Sequence, residues 1–439
     1  MARKVFLSVL GSTNYGECKY VSEGDEFKSE SVRFIQEAML DYLQAKNWSN
    51  ESAGYIFVTT GNKGSMQKNW LNDGHIDRNT KQPVRCEGLQ SRLLKMELPF
   101  QIHPIEISDG NDENEIWEIF NNIYNCLSDN DEVYFDITHG FRFLPMLAMA
   151  LLNYAKFLKT IKIRHISYGN YEGRDTKKNE AKIVNLFSLS NIQDWANSVN
   201  EFITSGNTSQ LSSILSQNKP NKKGSESQAL RKFSNALNNF TLDISTVRGK
   251  NIYSGKSLKD VEDSISLIRK KTDSKALNPI LEMLEKKISH FVNTKDLRNG
   301  EIAVQWCLDH NLIQQAYTLG QEHIISRICN YLKDSTNTPF DYSNKMDREI
   351  VSATIGYITK LARNSNEKPS KLLVENAEKF EIVQSSELIK KIAQDFAQLT
   401  SFRNSINHGG MIGDITNEAI RNNFNKFYQP ILTQIELLS

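Results

Sequence analysis

Short apolar runs alternate with longer amphipathic ones over the first 190 residues. The runs KVFLSVLG (4–11), YIFVTTG (55–61), IHPIEIS (102–108), EVYFDITHG (132–140) and IKIRHISYG (161–169) are rich in β-branched and aromatic residues and end in Gly or Ser. Between them, SESVRFIQEAMLDYLQ, GLQSRLLKME, ENEIWEIFNNIYNCL and LPMLAMALLNYAKFL carry helical spacing. Such alternation predicts a parallel sheet covered by helices on both faces. Strands ending in small residues place their following loops on one rim, where open α/β sheets bind ligands. Beyond about residue 190 glycine thins out, strand-like runs vanish and helical periodicity carries on to the C-terminus. The expected organisation is α/β plus all-α, with domains over 1–190 and 191–439. The polar stretch 204–228 reads as an exposed connection.

Length and composition fit this picture: 439 residues, 39% hydrophobic and 24% charged, ask for two or three domains with ample core. The apolar N-terminal run reads as a strand in preference to a signal peptide. No run reaches the roughly 18 apolar residues of a membrane-spanning helix. Cys18, Cys86, Cys126, Cys307 and Cys329 are scattered, odd in number and never in CxxC spacing. Reduced thiols in a cytosol follow, with no disulfide frame and no zinc site. A net charge of +1 leaves any nucleic-acid contact to local patches.

The loops carry the candidate chemistry. In FDITHGFRFLP (135–145) a strand bearing Asp136 ends near Thr138, and Gly140 and Arg142 precede a helix with Pro145 in its first turn. Free backbone N–H groups, a helix N-terminus, the Thr138 hydroxyl and the Arg142 guanidinium together suit a phosphate. The same residues also suit an ordinary strand–helix turn with a capping Thr and a surface Arg. GSTNYGECKY (11–20) offers hydroxyls, an amide and tyrosines, and is not the GxGxxG of dinucleotide folds. SYGNYEGRD (167–175) adds Tyr168 and Tyr171 as a third loop. Three such loops on one rim favour a nucleotide-like ligand with several phosphates.

Near the C-terminus, ELIKKIAQDFAQLTSFRNSIN places Leu388, Ile392, Phe396, Leu399 and Ile406 on one helical stripe. At about 100° per residue Arg403 falls inside the stripe, and His408 lies about 140° further round. Gly409 and Gly410 then stop the helix at Asn407 or His408. Histidine can move protons and arginine can stabilise developing negative charge, as metal-free attack of a 2′-hydroxyl on phosphorus requires. By spacing alone the pair also fits a satisfied Arg and a capping His.

The combination of SVLGSTNYG, FDITHGFRFLPMLAMALL and ISYGNYE with a C-terminal RNSINH resembles the CARF–HEPN ribonucleases of type III CRISPR systems. The resemblance implies an N-terminal Rossmann-like CARF domain that dimerises and binds cyclic oligoadenylate, tetra- ahead of hexa-adenylate, as an allosteric activator. It implies ligand contacts from Gly11, Ser12, Thr13, Asn14, Tyr15, Thr138, His139, Gly140, Phe141, Arg142 and Tyr168. The family's sensor motif often reads D/N-x-T-x-G-x-K/N. Here Asp136, Thr138, Gly140 and Arg142 hold those places, with His139 before the glycine. The resemblance further implies a C-terminal HEPN domain in which Arg403, Asn404 and His408 meet their dimer mates in one RNA-cleaving cleft, without metal or cofactor. The expected protein is a cytoplasmic endoribonuclease on single-stranded RNA, a homodimer or higher even oligomer, without membrane contact. A ligand-binding regulator that cuts nothing is the alternative. A Rossmann dehydrogenase or methyltransferase is disfavoured by the missing glycine fingerprint.

Overall fold

The computed structural model describes residues 2–60, 64–71, 75–76, 80–84, 86–217, 225–271, 277–336, 338–364, 366–411 and 415–438. The chain divides into two compact units, Met1–Gln193 and Asp194–Ser439. No helix among the described residues is long and apolar enough to cross a membrane.

The first unit is built on β1 (Lys4–Leu10), β2 (Lys19–Ser22), β3 (Ala53–Thr59), β4 (His75–Ile76), β5 (Pro83–Val84), β6 (Gln101–Ile107), β7 (Glu132–Asp136), β8 (Lys162–Asp175) and β9 (Glu180–Asn185). Seven of these strands form one sheet in the order β2-β9-β8-β7-β1-β3-β6, and β4 and β5 form a separate ribbon. Neighbours from β8 through β6 are parallel, while β9 runs antiparallel to β8. From β1 the chain winds outward through β3 to β6. It then returns to the other side of β1 and continues through β7 and β8. The winding direction therefore reverses between β1 and β7, which opens a crevice at the carboxyl ends of those two strands.

Strand β1 shows why both sheet faces are covered. Val5, Leu7 and Val9 pack with α3 (Glu113–Asn125) and α4 (Leu144–Lys159). Phe6 and Leu10 pack on the opposite face with α1 (Ile35–Tyr42) and α2 (Leu89–Lys95). Successive side chains of a strand point to opposite faces, so a run with no polar alternation is what a doubly covered strand needs.

The third expected loop is corrected. Residues 167–175 continue β8 beyond the end of β7 and pair with β9, so Tyr168 stands on a strand opposite Val184. The tight Asp175–Glu180 reversal makes β8 and β9 a hairpin, which ordinary strand patterning did not flag.

The second unit is helical throughout its described residues, from α5 (Phe187–Ser205), which begins in the first unit, to α17 (Asn417–Leu438). One core holds it together, with Phe202, Phe240 and Phe291 around Trp306. The expected connection over 204–228 is also corrected. Ser209–Gln217 is a helix that buries Leu211, and a further helix starts at Ser225; residues 218–224 lie outside the described residues.

Candidate functional site

The crevice is lined by the loops that follow β1 and β7. Backbone N–H groups of residues 12–15 and of residues 139–142 have no partner among the described residues. Two loops with open donors flank one switch-point crevice, an arrangement that suits an anion. Gly140 makes the second loop possible. Its φ is +128°, and a Cβ there would lie 2.7 Å from Leu144 Cδ2 and 3.1 Å from Val9 Cγ1. The loop then enters α4 with Pro145 in its first turn. Arg142 is exposed, with no side-chain partner among the described residues, and Phe141 stacks on Phe143 at 5.4 Å.

Beneath the loops runs a buried polar chain. Gln36 Nε2 donates to Ser8 Oγ (3.0 Å), and Ser8 Oγ donates to Asp136 Oδ2 (2.7 Å). The Thr138 N–H (3.1 Å) and hydroxyl both donate to Asp136 Oδ1, and the Thr138 hydroxyl accepts from the Gly169 N–H at 2.8 Å. Thr138, expected as a donor to ligand, has thus spent its proton within the sheet end. Its hydroxyl ties β7 to β8 and shapes the loop from below.

Asp136 is fully buried, and burial pushes its carboxyl up to about 6 against three hydrogen bonds that pull it down. An unfolded Asp titrates near about 3.9. Below that value both states hold the proton, and between it and about 6 only the folded chain does. Stability therefore falls as pH rises through this window and is level above it. Asp136→Asn should remove that slope: urea unfolding of the two proteins should diverge between about pH 4 and 6 and run parallel above. Parallel behaviour throughout would contradict the assignment.

Tyr15 turns inward, its hydroxyl accepting from the Gly11 N–H (2.8 Å) and its ring edge-on to His139 at 4.5 Å. Burial raises its phenol well above the ordinary range and lowers the His139 imidazole to about 4. His139 is thus neutral at physiological pH, and its Nε2 is buried without a partner. Ser12, Thr13 and Asn14 are exposed at the tip. The β1 loop is clamped by residues that sequence reasoning missed. Asn69 Nδ2 reaches Gly11 O (2.8 Å) and Thr13 O (2.9 Å), and Lys68 Nζ reaches Ser12 O (3.2 Å). No periodic or motif signal marked them, because the contact spans 58 residues of chain.

In the second unit α16 (Glu387–Asn407) buries Leu388, Ile392, Phe396, Leu399 and Phe402, and His408 caps it. The stop is a double-glycine cap. Gly410 N–H bonds Ser405 O (2.8 Å) and Gly409 N–H bonds Ile406 O (3.0 Å), with φ of +72° and +64° at the two glycines. Arg403 is half-buried and donates from Nε to Gln321 Oε1 at 2.7 Å, on α12 (Ile313–Ser335). Its two terminal nitrogens have no partner among the described residues. His408 is exposed and Asn404 half-buried. Asn407 Oδ1 accepts from Gln314 Nε2 (3.3 Å). The helix stays unbroken between Arg403 and Asn407, so the guanidinium and the imidazole leave it about 140° apart. Among the described residues no group of three or more His, Cys, Asp or Glu is arranged to hold a metal ion.

Residues 5–172 match the family model described as the CARF domain of CRISPR system endoribonuclease Csx1. The N-terminal unit, with its mostly parallel seven-stranded sheet, is a CARF domain. Residues 191–295 match the model of the second domain of CRISPR-associated protein MJ1674. CRISPR-associated protein MJ1674 of Methanocaldococcus jannaschii is 34% identical over 112 residues. That stretch is 25% of this chain and 18% of the relative's length. Among solved structures, Enterococcus italicus Csm6 bound to cyclic hexa-2′-fluoro-hexa-dAMP aligns over 100% of this chain and 94% of that one, at 11% identity and a TM-score of 0.45. Both family models that match this chain, one over most of the N-terminal unit and one over the start of the helical unit, are described from CRISPR proteins.

Proposed function

We propose that this protein is a ribonuclease of single-stranded RNA, switched on by a cyclic oligoadenylate held in the CARF crevice and cutting at a composite site built from two copies of Arg403, Asn404 and His408. The observation that carries the reading is the crevice itself. Two loops at the switch point of a CARF domain carry open N–H groups beside Arg142, which has no side-chain partner among the described residues. Phosphates are the ligand chemistry such a surface takes. Backbone donors are indifferent to base identity, so adenine selection falls to the polar loop tips and to the Tyr168 and His139 rings. The Csm6 structure holds a cyclic oligonucleotide analogue, and the Csx1 description names an endoribonuclease. Both are properties of those proteins that fit the reading.

Cleavage would proceed by attack of the 2′-oxygen on the adjacent phosphorus, with the P–O5′ bond breaking to leave a 2′,3′-cyclic phosphate and a 5′-hydroxyl. Within the shared cleft one His408 takes the hydroxyl proton and the other supplies a proton to the 5′-oxygen leaving group. The Arg403 terminal nitrogens face the charge that grows on the phosphorane oxygens. A single chain cannot assemble this, because its Arg and His point apart. Two chains can.

The face for the second copy is supplied by α4. Met146 is 78% exposed, Phe157 84% and the neighbouring Trp117 of α3 55%, with Ala150 between them at helical spacing. Monomeric proteins seldom leave such a stripe open. α4 starts at the crevice, so pairing along it sets two crevices side by side for a two-fold ligand. Phe157→Glu should convert dimer to monomer in sedimentation velocity and abolish activated cleavage. A dimer that persists and cleaves would remove α4 from the interface. Titration of cyclic tetra- and hexa-adenylate into the wild-type protein, followed by cleavage of a fluorogenic RNA, tests the reading as a whole.

A further inference from the structure

We propose that Asn69 is the positioning residue of the crevice: it holds the β1 loop with carbonyls turned inward and N–H groups turned outward to receive phosphate oxygens. The inference rests on the crevice being a site for a phosphate-bearing ligand.

Every polar atom of the Asn69 amide is committed. Nδ2 gives both protons to the loop, one to Gly11 O at 2.8 Å and one to Thr13 O at 2.9 Å. Oδ1 accepts from Arg33 Nη2 at 3.3 Å. Asn69 is 1% exposed and Arg33 4%, so water cannot take over either role. Arg33 is fixed in turn, its Nη1 bonding Glu87 O at 3.1 Å and its guanidinium lying 4.9 Å from the Phe34 ring centre.

The mount of Asn69 is equally defined. It sits on Met66–Trp70, a single turn of π-helix, a wide-turn geometry often found at functional sites. That turn is tied back to the end of β3 by a reciprocal pair, Thr59 N–H to Ser65 Oγ (2.9 Å) and Ser65 N–H to Thr59 Oγ1 (3.1 Å). β3 and β1 are adjacent and in parallel register through Leu10 and Val58. The loop is therefore held against its own sheet by a side chain from the neighbouring strand's loop. With the carbonyls of Gly11 and Thr13 occupied, the N–H groups of residues 12–15 are left open. Carbonyl oxygens turned into the crevice would repel a phosphate, and Asn69 is what prevents it.

The test compares Asn69→Asp, Lys68→Ala and wild type. Asp is nearly isosteric and keeps an acceptor beside Arg33, but has no N–H for the two carbonyls. The probes are cyclic tetra-adenylate and cyclic hexa-adenylate by calorimetric titration, thermal unfolding, and, without ligand, amide hydrogen exchange of Gly11, whose N–H is bonded within the loop to Tyr15. Asn69→Asp is expected to weaken binding by about 10- to 100-fold, the worth of one to two buried bonds, to speed Gly11 exchange, and to lower Tm, because two buried carbonyls lose their donors. Lys68→Ala, which loses one exposed bond, should cost no more than about threefold. Wild-type affinity and wild-type loop exchange in Asn69→Asp would overturn the proposal. If neither ring binds wild-type protein, the proposed function falls, and the exchange comparison still decides the role of Asn69. If Asn69→Asp fails to fold, Arg33→Lys takes its place. It leaves both Asn69 donors but loosens their mount, so faster loop exchange supports the proposal and unchanged exchange overturns it.

Discussion

Alanine at Arg403 or at His408 is expected to abolish activated RNA cleavage while ligand binding stays at its wild-type strength. Proton transfer by a positioned side chain contributes about 10²–10⁴-fold, and loss of one donor at a developing oxyanion costs about 10²–10³-fold. Either loss should take activated cleavage close to the limit of detection. Binding should be spared because both residues lie in the helical unit, whereas every crevice residue lies in the CARF unit. Neither substitution should harm the fold: His408 is exposed, and among the described residues the Arg403 side chain bonds Gln321 alone. Mixing Arg403→Ala chains with His408→Ala chains sharpens the test. In a composite cleft the mixed dimer keeps one Arg and one His, so its activity should stay well below that of the wild-type dimer. Wild-type turnover by either purified variant would remove that residue from the chemistry.

Arg142→Ala carries the second large effect, on activator affinity. Its guanidinium stands exposed at the mouth of the crevice without a side-chain partner among the described residues, beside the open N–H groups of residues 139–142. A charge-assisted bond contributes about 1.5–3 kcal/mol, so the dissociation constant should rise about 10- to 150-fold. The salt dependence of binding should also weaken, since a cation facing phosphate has been removed. Thr138→Val should behave differently. Its hydroxyl already serves Asp136 and Gly169, so the change should lower stability before it touches the ligand. Unchanged affinity in Arg142→Ala would take that side chain out of the site.

Much of this architecture was legible in the sequence for a physical reason. Strands β1, β3 and β7 are covered on both faces, so they appear as dense apolar runs, and a glycine follows each within a few residues. The end of α16 was legible because Gly409 and Gly410 supply the left-handed backbone that a helix stop needs. What escaped depends on partners distant in sequence. β9 pairs only with β8 and β2 at one side of the sheet, so EAKIVN lacks the dense apolar run of a central strand. Tyr168 reads as a loop residue because Gly169, Gly173 and their polar neighbours look like turn chemistry, whereas the backbone is a hairpin arm. Ser209–Gln217 reads as a connection because serine dominates it, whereas the buried Leu211 reveals a packed face. Asn69 and Gln321 are ordinary amides until the fold carries them across 58 and 82 residues to Gly11 and Arg403.

The most direct measurement is cleavage of a fluorogenic single-stranded RNA by the wild-type protein in EDTA, with no activator, with cyclic tetra-adenylate and with cyclic hexa-adenylate. The account predicts no cleavage without activator and rapid, EDTA-resistant cleavage with one of the two rings. A protein that binds a ring tightly and cuts no RNA, or that cuts equally well with and without it, would contradict the account.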